Sequence, residues 1–369
     1  MALLNRRSQR YHGGFSLVEL MAGLAVGLLA MLAVFQVFSF ASTQSRTTSA
    51  VADAQQAGAL SLYLLEREAR QAGYGFNLED GIGCTVQAQN GNGAYTFTLS
   101  PIVIQSGGAA GSDTLTVMRG SGDRPVWSPL SSPYDGSGAA IALMNSFGFR
   151  LNDFALIVSP TLGCTLMRVT GVVGNALTHT ANTFNAAAPG ITYDVAPGGA
   201  GIQASVVDLG GAPVISQFSV QSSKLMVADV LNGAAPALYA DNVVALKAQY
   251  GFNACPATSS SGDVVTSYSG TMIDADGDGV VGNRGDWARV KAVRIGVLVR
   301  GTQYERDVVS PPSIVLWPTT TTLPTSIGPS IALTDTQRHY RYSVFTTIVP
   351  IRNMLWSRGM QWSALQKCN

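Results

Sequence analysis

The sequence predicts an α+β protein, in which one long amino-terminal helix, hydrophobic and then amphipathic, packs on a large β-rich globular head. Between residues 15 and 41 the only ionisable side chain is Glu19, and an apolar stripe at helical spacing continues to residue 72. Beyond Gly73, short alternating runs are separated by clusters of glycine and proline. With 40 glycines and only 12% charged residues, the composition is typical of a β-rich exported protein.

The first element is a hydrophobic helix preceded by a basic leader. Residues 1–14 contain Arg6, Arg7 and Arg10 and no acidic residue. The uncharged stretch 20–41 is 22 residues long, and as a helix it spans about 33 Å, which matches the hydrocarbon core of a bilayer. Basic residues before the span predict a cytoplasmic leader and an exported remainder. An ordinary secretory signal would need a small-residue cleavage site after the apolar run, but here the run continues into helix.

The helix is predicted to continue beyond the membrane as an amphipathic half. Apolar or small residues recur there at steps of three and four: Val51, Ala54, Gly58, Leu62, Leu65, Ala69 and Ala72. Arg67 and Arg70 lie off this stripe, so we expect the stripe to pack on the head. Gly73 is a typical helix stop. One helix is therefore predicted over residues 15–73, with its membrane span at about 20–41.

Residues 74–369 are predicted to form one β-rich head with long loops, with its strands in as many as two sheets. Alternating or apolar runs predict strands at 94–99, 114–118, 154–159, 166–172, 215–220 and 293–300. Glycine and proline clusters near 107–111, 121–138, 187–201 and 256–263 separate them. The sequence contains no internal repeat of fixed period and no second apolar stretch long enough to span a membrane.

Neither an enzyme nor a nucleic-acid-binding protein is indicated. The sequence has no GxSxG, HExxH, phosphate-binding GK[ST] or GxGxxG motif in the required context. Its three histidines, His12, His179 and His339, are scattered. The formal net charge of +1 gives no basic surplus that would favour contact with nucleic acid.

The four cysteines favour two disulfide bonds. Cys84, Cys164, Cys255 and Cys368 stand far apart and form no CxxC pair, so a zinc or redox site is not indicated. An even number in an exported chain favours disulfides, for which three pairings are open. We prefer Cys84–Cys164 with Cys255–Cys368, because each bond then ties a segment within its own half of the head. The alternative is buried free thiols.

A short acidic segment predicts a calcium site. Asp274, Asp276 and Asp278 occupy positions 1, 3 and 5 of an oxygen-ligand loop, with glycine at position 6 and the Val280 carbonyl at position 7. The usual acid at position 12 is displaced by one residue to Asp286. Flanking helices are not evident, so we do not expect an EF-hand. Carboxylates this close repel one another without a cation, which favours Ca²⁺ over a solvated Asp/Gly turn.

The segment GGFSLVEL at residues 13–20 resembles the class III leader of type IV prepilins. The resemblance implies cleavage between Gly14 and Phe15 by prepilin peptidase, followed by methylation of the new amino group of Phe15. It also implies that Glu19 neutralises the terminal amine of a neighbouring subunit during assembly. A carboxylate near the start of a membrane helix usually marks function, although a glutamate snorkelling to the lipid interface is the alternative. The implied architecture is the lollipop shape of type IV pilins.

Three further segments resemble PilW-type minor pilins. They are LLEREARQAGY at residues 64–74, DWARVKAVRIGVLVR at 286–300 and YRYSVFTTIVPIRN at 340–353. The PilW-like part of the head is predicted over about 215–355. Between residues 90 and 240 little resembles the family.

The resemblance implies a minor pilin that initiates or assists type IV pilus assembly, at the tip, and supports twitching motility, adhesion or DNA uptake. Its partners would be prepilin peptidase, the other minor pilins and the major pilin. It would lie in the bacterial inner membrane by a single span, with its head in the periplasm, and then in the pilus at the cell surface. The alternatives are a minor pseudopilin of a type II secretion system and a tip adhesin that binds a surface ligand through residues 90–240.

Overall fold

The structure is a computed structural model that describes residues 14, 16–76, 81–108, 111–122, 126–136, 138–159, 163–187, 192–193, 195, 204–255 and 264–356. The chain divides into two compact units, Met1–Ala52 and Asp53–Asn369. A long amino-terminal helix is followed by a β-rich region. This confirms the predicted α+β class.

The first element, α1, is a 55-residue helix that spans Leu17–Gln71. In its first part every large hydrophobic side chain between residues 17 and 40 is exposed, which is the surface that a lipid-facing helix requires. Among the described residues α1 is the one helix long and apolar enough to cross a membrane, with a mean hydropathy of 2.3 over its most apolar window. The predicted hydrophobic helix is therefore present, two residues shorter at each end than predicted.

The second unit contains the amphipathic half of α1, which buries the predicted stripe. Leu65, Ala69 and Ala72 are fully buried, and Gly58 lies against the ring of Phe345. The helix ends at Gly73, whose φ of +78° suits glycine. There the Gly73 N–H donates to the carbonyl of Met118 at 2.8 Å. The stripe thus packs on strands of the head, as its spacing predicts.

Strands are the main regular structure of the described head. The first eleven are β1 (Thr85–Asn90), β2 (Gly93–Thr98), β3 (Ile102–Gln105), β4 (Thr114–Arg119), β5 (Val126–Pro129), β6 (Ala140–Ala142), β7 (Phe154–Ser159), β8 (Gly163–Arg168), β9 (Gly171–Val173), β10 (Ala176–Thr178) and β11 (Ser205–Gly210). The others are β12 (Val214–Gln221), β13 (Lys224–Asp229), β14 (Ala237–Asp241), β15 (Val243–Phe252), β16 (Ser267–Ser269), β17 (Val290–Arg300), β18 (Ser313–Val315), β19 (Thr325–Ser326), β20 (Ser330–Ala332) and β21 (Tyr342–Pro350). Two short α-helices, α2 (Arg284–Ala288) and α3 (Arg352–Trp356), and a 3-10 turn at Gln337–His339 complete the described elements.

The described strands form five sheets rather than the two expected. The largest has the order β2-β1-β8-β7-β11-β5, and two five-stranded sheets have the orders β14-β13-β12-β4-β3 and β19-β16-β15-β17-β21. Two small sheets, β6-β10-β9 and β18-β20, complete the head. The expectation of two sheets was wrong because short strands between glycine-rich turns pair locally, and alternation along one strand carries no information about its partner.

One predicted strand is also wrong. The run 166–172 divides into β8 and β9, which lie in different sheets. The division occurs because the Val169 N–H donates to the backbone carbonyl of Asp153 at 2.8 Å, whereas the Thr170 N–H donates to the backbone carbonyl of Thr178 at 2.7 Å. The chain thus changes its pairing partner between two adjacent residues, which a continuous apolar run conceals.

The disulfide bond Cys84–Cys164 is present, as predicted, with its Cα atoms 6.1 Å apart. It joins the end of the turn before β1 to β8, the strand that pairs with β1 in parallel. Cys255 is not a free thiol. Its predicted partner Cys368 lies outside the described residues, so that pairing stays a prediction.

Candidate functional site

The predicted assembly residues lie at the start of α1. Gly14 is exposed and precedes the helix, whereas Phe15 lies outside the described residues. Glu19 is in the first turn of α1, where the N-terminal end of the helix dipole favours a negative charge. The helical register begins here, since the Leu20 N–H donates to the Ser16 carbonyl at 3.1 Å. A carboxylate is therefore held in the first turn of the helix, four positions in sequence after the residue that the predicted cleavage makes the amino terminus.

Glu19 shares one face of α1 with Gly23 and Gly27, because residues four apart in a helix lie one above the other. The face forms an open groove of about 730 Å³ along the helix. A Cβ atom at either glycine would meet nothing within 4 Å. The face is therefore open to the close approach of a second helix.

The predicted calcium loop brings three of its five ligand residues together. Single carboxylate oxygens of Asp274, Asp276 and Asp286 all lie within 4.8 Å of one another. Ca²⁺–oxygen distances of about 2.3–2.6 Å allow one ion to span oxygens up to about 5 Å apart. We call these residues the carboxylate trio. Asp276 and Asp286 are buried, and Asp274 is partly exposed.

Asp286 reaches the trio because of the short helix α2. Asn283 caps this helix by accepting from the Asp286 N–H at 3.0 Å. One oxygen of Asp286 accepts from the N–H groups of Ala275 and Asp276, and the other accepts from the Gly282 N–H at 2.7 Å. An acid at position 12 has no room, because a Cβ atom on Gly285 would lie 1.8 Å from an oxygen of Asp276. This explains why the acid follows one residue later.

Asp278 and Val280 have other partners in this structure. Asp278 accepts from the amide of Asn283 and from the Val280 N–H, both at 2.7 Å. The Val280 side chain is exposed. Asp274 accepts from the N–H groups of Gly277 and Gly279 at 2.8 and 3.0 Å. The loop is thus ordered by turn hydrogen bonds, and its carboxylate oxygens retain lone pairs that a cation could use.

Electrostatics at the trio favour a positive partner. Burial raises the pKa of Asp276, and the neighbouring carboxylates of Asp278, Asp286 and Asp274 raise it further. Arg289 is fully buried nearby, and its guanidinium donates to the Asn253 carbonyl at 2.8 Å. Burial lowers the pKa of Arg289, while the charges of Asp276 and Asp286 act in the opposite direction. One protein cation therefore already balances part of the charge.

Two residues of this site were missed by sequence reasoning. Asn283 could have been found, because an asparagine three residues before an acid is a helix N-cap signal. Arg289 gave no such signal, since it lies in a run of apolar and basic residues that predicts only a strand. Its position beside the trio follows from the turn of chain between α2 and β17.

Two family models match the chain. Residues 215–353 match the family described as Type IV Pilus-assembly protein W. Residues 9–35 match the prokaryotic N-terminal methylation motif. No curated protein and no solved structure matches the chain significantly. The first match contains the strands from β13 to β21, all but the first residue of β12, and the carboxylate trio. The second match contains Glu19.

Proposed function

We propose that this chain, a PilW-type type IV pilin by its two family matches, is a minor pilin that takes part in initiating and assembling a type IV pilus. The observation that carries the proposal is the presence in one chain of the methylation motif at residues 9–35 and the PilW region at residues 215–353. Pilins are structural components, and no catalytic step is part of the proposal.

The proposed assembly step begins with processing. Prepilin peptidase cleaves between Gly14 and Phe15, and the new amino group is methylated. In the bundle of helices, the carboxylate of Glu19 then meets the terminal amine of a neighbouring subunit. Opposite charges attract strongly in an environment of low dielectric constant. The open face at Gly23 and Gly27 supports this step, because it lets the backbones of two helices approach.

The methylation motif and the apolar helix also predict where the protein is located in the cell. A methylation motif with an apolar amino-terminal helix fits anchoring in the inner membrane and incorporation into a pilus. We further propose that the head lies in the periplasm before assembly, because the basic leader favours a cytoplasmic amino terminus. A head of nearly 300 residues is difficult to repeat along a dense shaft. This favours a place at the tip, from which the protein would support twitching motility, adhesion or DNA uptake.

The experiment compares Glu19→Gln with Glu66→Gln in cells that make pili. Both changes remove one carboxylate from α1, but Glu66 lies in the amphipathic half and pairs with Arg70. We expect both chains to be processed to Phe15, as mass spectrometry will show. Only Glu19→Gln should lose co-purification with the other pilins and reduce the number of pili.

Three outcomes would contradict the proposal. Normal pilus number and pilin recovery with Glu19→Gln would remove the assembly role of this carboxylate. Equal losses with both variants would indicate a general defect of the helix. Co-purification of the intact chain with secretion-system pseudopilins, and with no pilin, would assign it to a type II secretion system.

We also propose that the carboxylate trio of Asp274, Asp276 and Asp286 binds Ca²⁺ and stabilises the head. Three oxygens within 4.8 Å and the raised pKa of Asp276 support the proposal. Val280 and Asp278 would complete the ligand set only if the loop rearranged around the ion. A ligand that binds only the folded chain at 100 times its dissociation constant adds about 2.7 kcal/mol to the free energy of unfolding.

Thermal unfolding of the mature chain in Ca²⁺ and in chelator tests the metal site. We expect Ca²⁺ to raise the unfolding temperature of the wild type. Asp276→Asn should abolish this increase, yet be at least as stable as the wild type in chelator, because it relieves repulsion among carboxylates. Asp307→Asn, which changes an exposed carboxylate outside the loop, is the matched control and should keep the increase. An unfolding temperature that is the same with and without Ca²⁺ would disprove the site.

A further inference from the structure

The head contains a cavity that lies outside both family matches. Its volume is about 440 Å³, within the range of roughly 300–1,000 Å³ that is usual for small-molecule sites. It lies at β1, β2 and β8 of the six-stranded sheet and beside residues 179–186. Gln87 and Gln89 alternate along β1 with Val86 and Ala88, which are buried in the main core. The two glutamines therefore lie on the opposite face of this sheet.

A buried histidine lines this cavity. His179 is 2% exposed, and neither of its ring nitrogens has a hydrogen-bond partner among the described residues. Its ring is held edge-to-face against Tyr134, with the centroids 5.5 Å apart. Burial lowers the pKa of His179, so the ring is neutral at neutral pH and offers one donor and one acceptor. Both nitrogens have almost no accessible surface, so a ligand reaches them only after a small movement of the lining side chains. Because a buried polar group without partners is unfavourable, such a ligand would gain both hydrogen bonds.

Other neutral polar groups in the cavity are available to a ligand. The side chains of Gln87 and Thr96 hydrogen-bond to no residue that the structure describes. Gln89 uses its amide N–H₂ on the Asn182 carbonyl at 3.1 Å, which leaves its carbonyl oxygen to accept. Asn185 is different, because both ends of its amide are bonded to the backbone of Arg168. The cavity thus offers separate donors and acceptors rather than one closed network.

Apart from Tyr95 and Thr165, the remainder of the lining is apolar, and none of the described lining residues is charged. Met167 and Phe184 give apolar surface, and Ala94 leaves space at the edge strand β2. No residue of the lining offers a counter-charge to a phosphate or carboxylate, since the nearby guanidinium of Arg168 is stacked on the Phe184 ring, 5.3 Å from its centroid. A purely apolar ligand would leave the amides unpaired. A neutral polyhydroxy compound satisfies both conditions, because it has hydroxyl groups and apolar C–H faces.

We propose that this cavity binds a neutral saccharide unit through Gln87, Gln89 and His179, with Met167 and Phe184 against its C–H faces. Hydroxyl groups donate and accept, as the neutral imidazole and the two amides require. The binding is independent of the assembly role, since it uses neither Glu19 nor residues 215–353. It gives the otherwise uninterpreted half of the head an activity of its own at the cell surface.

The test uses the full mature chain in lauryldimethylamine oxide, because detergents with sugar headgroups would compete. Saturation-transfer NMR would probe glucose, galactose, N-acetylglucosamine, lactose and maltose. We expect at least one of these sugars to bind. The side-chain nitrogen signals of His179 should then shift, while those of His339 should not, since its Nδ1 is already 2.9 Å from the Glu305 carbonyl oxygen.

A pair of matched variants locates the binding. Ala94→Phe fills the cavity from an exposed position on β2 and should weaken binding at least about tenfold. Ala237→Phe makes the same change at an exposed position on another edge strand, β14, and should leave binding unchanged. Gln87→Ala should weaken binding without filling the cavity.

Two results would overturn the proposal. The first is that none of the five sugars binds. This result includes the case in which Ala94→Phe removes a co-purifying pilin, which would identify the cavity as a protein interface. The second is that a sugar binds with equal affinity to the wild type and to Ala94→Phe. The Glu19→Gln experiment is unaffected by either result, so the two proposals fail separately.

Discussion

At the residue scale, the described chain contains a buried carboxyl group whose titration affects stability. Asp208 in β11 is 6% exposed, and its oxygen accepts from the Gly210 N–H at 2.8 Å. Burial, assisted by the nearby charge of Asp153, raises the pKa of Asp208 to about 6, although the Gly210 hydrogen bond and the charge of Arg150 act in the opposite direction. The folded chain therefore holds this proton more tightly than the unfolded chain.

The first prediction concerns Asp208→Asn. Between pH 3.8 and about 6 the folded state binds more protons, so the free energy of unfolding of the wild type falls as the pH rises through this window. At pH 7 the variant should be more stable by about 1–3 kcal/mol, because it removes the buried charge. This difference should disappear below pH 4. Chemical denaturation at several pH values measures it.

The control for this prediction is Asp307→Asn, which changes an exposed carboxylate. It should shift the free energy of unfolding by less than about 0.5 kcal/mol at any pH. A gain for Asp208→Asn that is the same at pH 4 and pH 7 would contradict the assigned cause, because an uncharged effect does not titrate.

Sequence reasoning worked for residues whose role depends on near neighbours. Glu19 and Gly14 belong to a contiguous motif, and Asp274 and Asp276 belong to one turn. It missed Asp208 and His179, because nothing in their neighbouring residues reveals burial. A strand residue becomes a buried titrating group only when a second layer covers its face of the sheet.

At the element scale, the amphipathic half of α1 packs on β21 through one close contact. Gly58 lies so near Phe345 that a Cβ atom would be 2.1 Å from its ring. The 3.6-residue stripe predicts that this helix face is buried, but it does not identify the strand beneath it. Here the strand is an edge strand almost 290 residues later in the chain.

The second prediction is that Gly58→Leu destabilises the head. The new side chain must displace the Phe345 ring, and overpacking of this kind costs about 1–3 kcal/mol, offset by about 1 kcal/mol of improved helix propensity. Ala59→Leu, at the adjacent exposed position, should have little effect. Thermal unfolding of the mature chain, followed by circular dichroism, compares the two.

A double variant separates this contact from a general effect on the helix. Truncation of the ring in Phe345→Ala creates space, so it should cost less in the Gly58→Leu background than in the wild type. Additive losses would show that Gly58 and Phe345 do not interact.

At the scale of the whole molecule, one disulfide bond organises the first half of the head. Cys84 and Cys164 are 80 residues apart in sequence. The closed loop contains β1 to β7, whose strands belong to three of the five sheets. In the loop-entropy description, a disulfide bond that closes a loop of this length strongly lowers the conformational entropy of the unfolded chain.

The third prediction concerns Cys84→Ala with Cys164→Ala. The double variant should lose about 4 kcal/mol in its free energy of unfolding, according to the loop length. Alanine is used because Cys164 is fully buried, and a serine hydroxyl would add a polar penalty there. Denaturation in guanidinium measures the loss. A loss below about 1 kcal/mol would mean that the loop is already ordered in the unfolded state.

The leader, the apolar span, the amphipathic stripe and the β-rich class could all be predicted from the sequence, because each depends on residues that are near one another in the chain. The three-dimensional fold was needed to establish which strands share a sheet, how Asp286 joins Asp274 and Asp276, and that a buried ion pair links Asp113 to Lys247, 134 residues away. It alone decided that His179 faces a cavity. The physical reason is that helix and turn preferences are local, whereas sheet pairing and burial depend on contacts between distant segments whose partners no local pattern specifies.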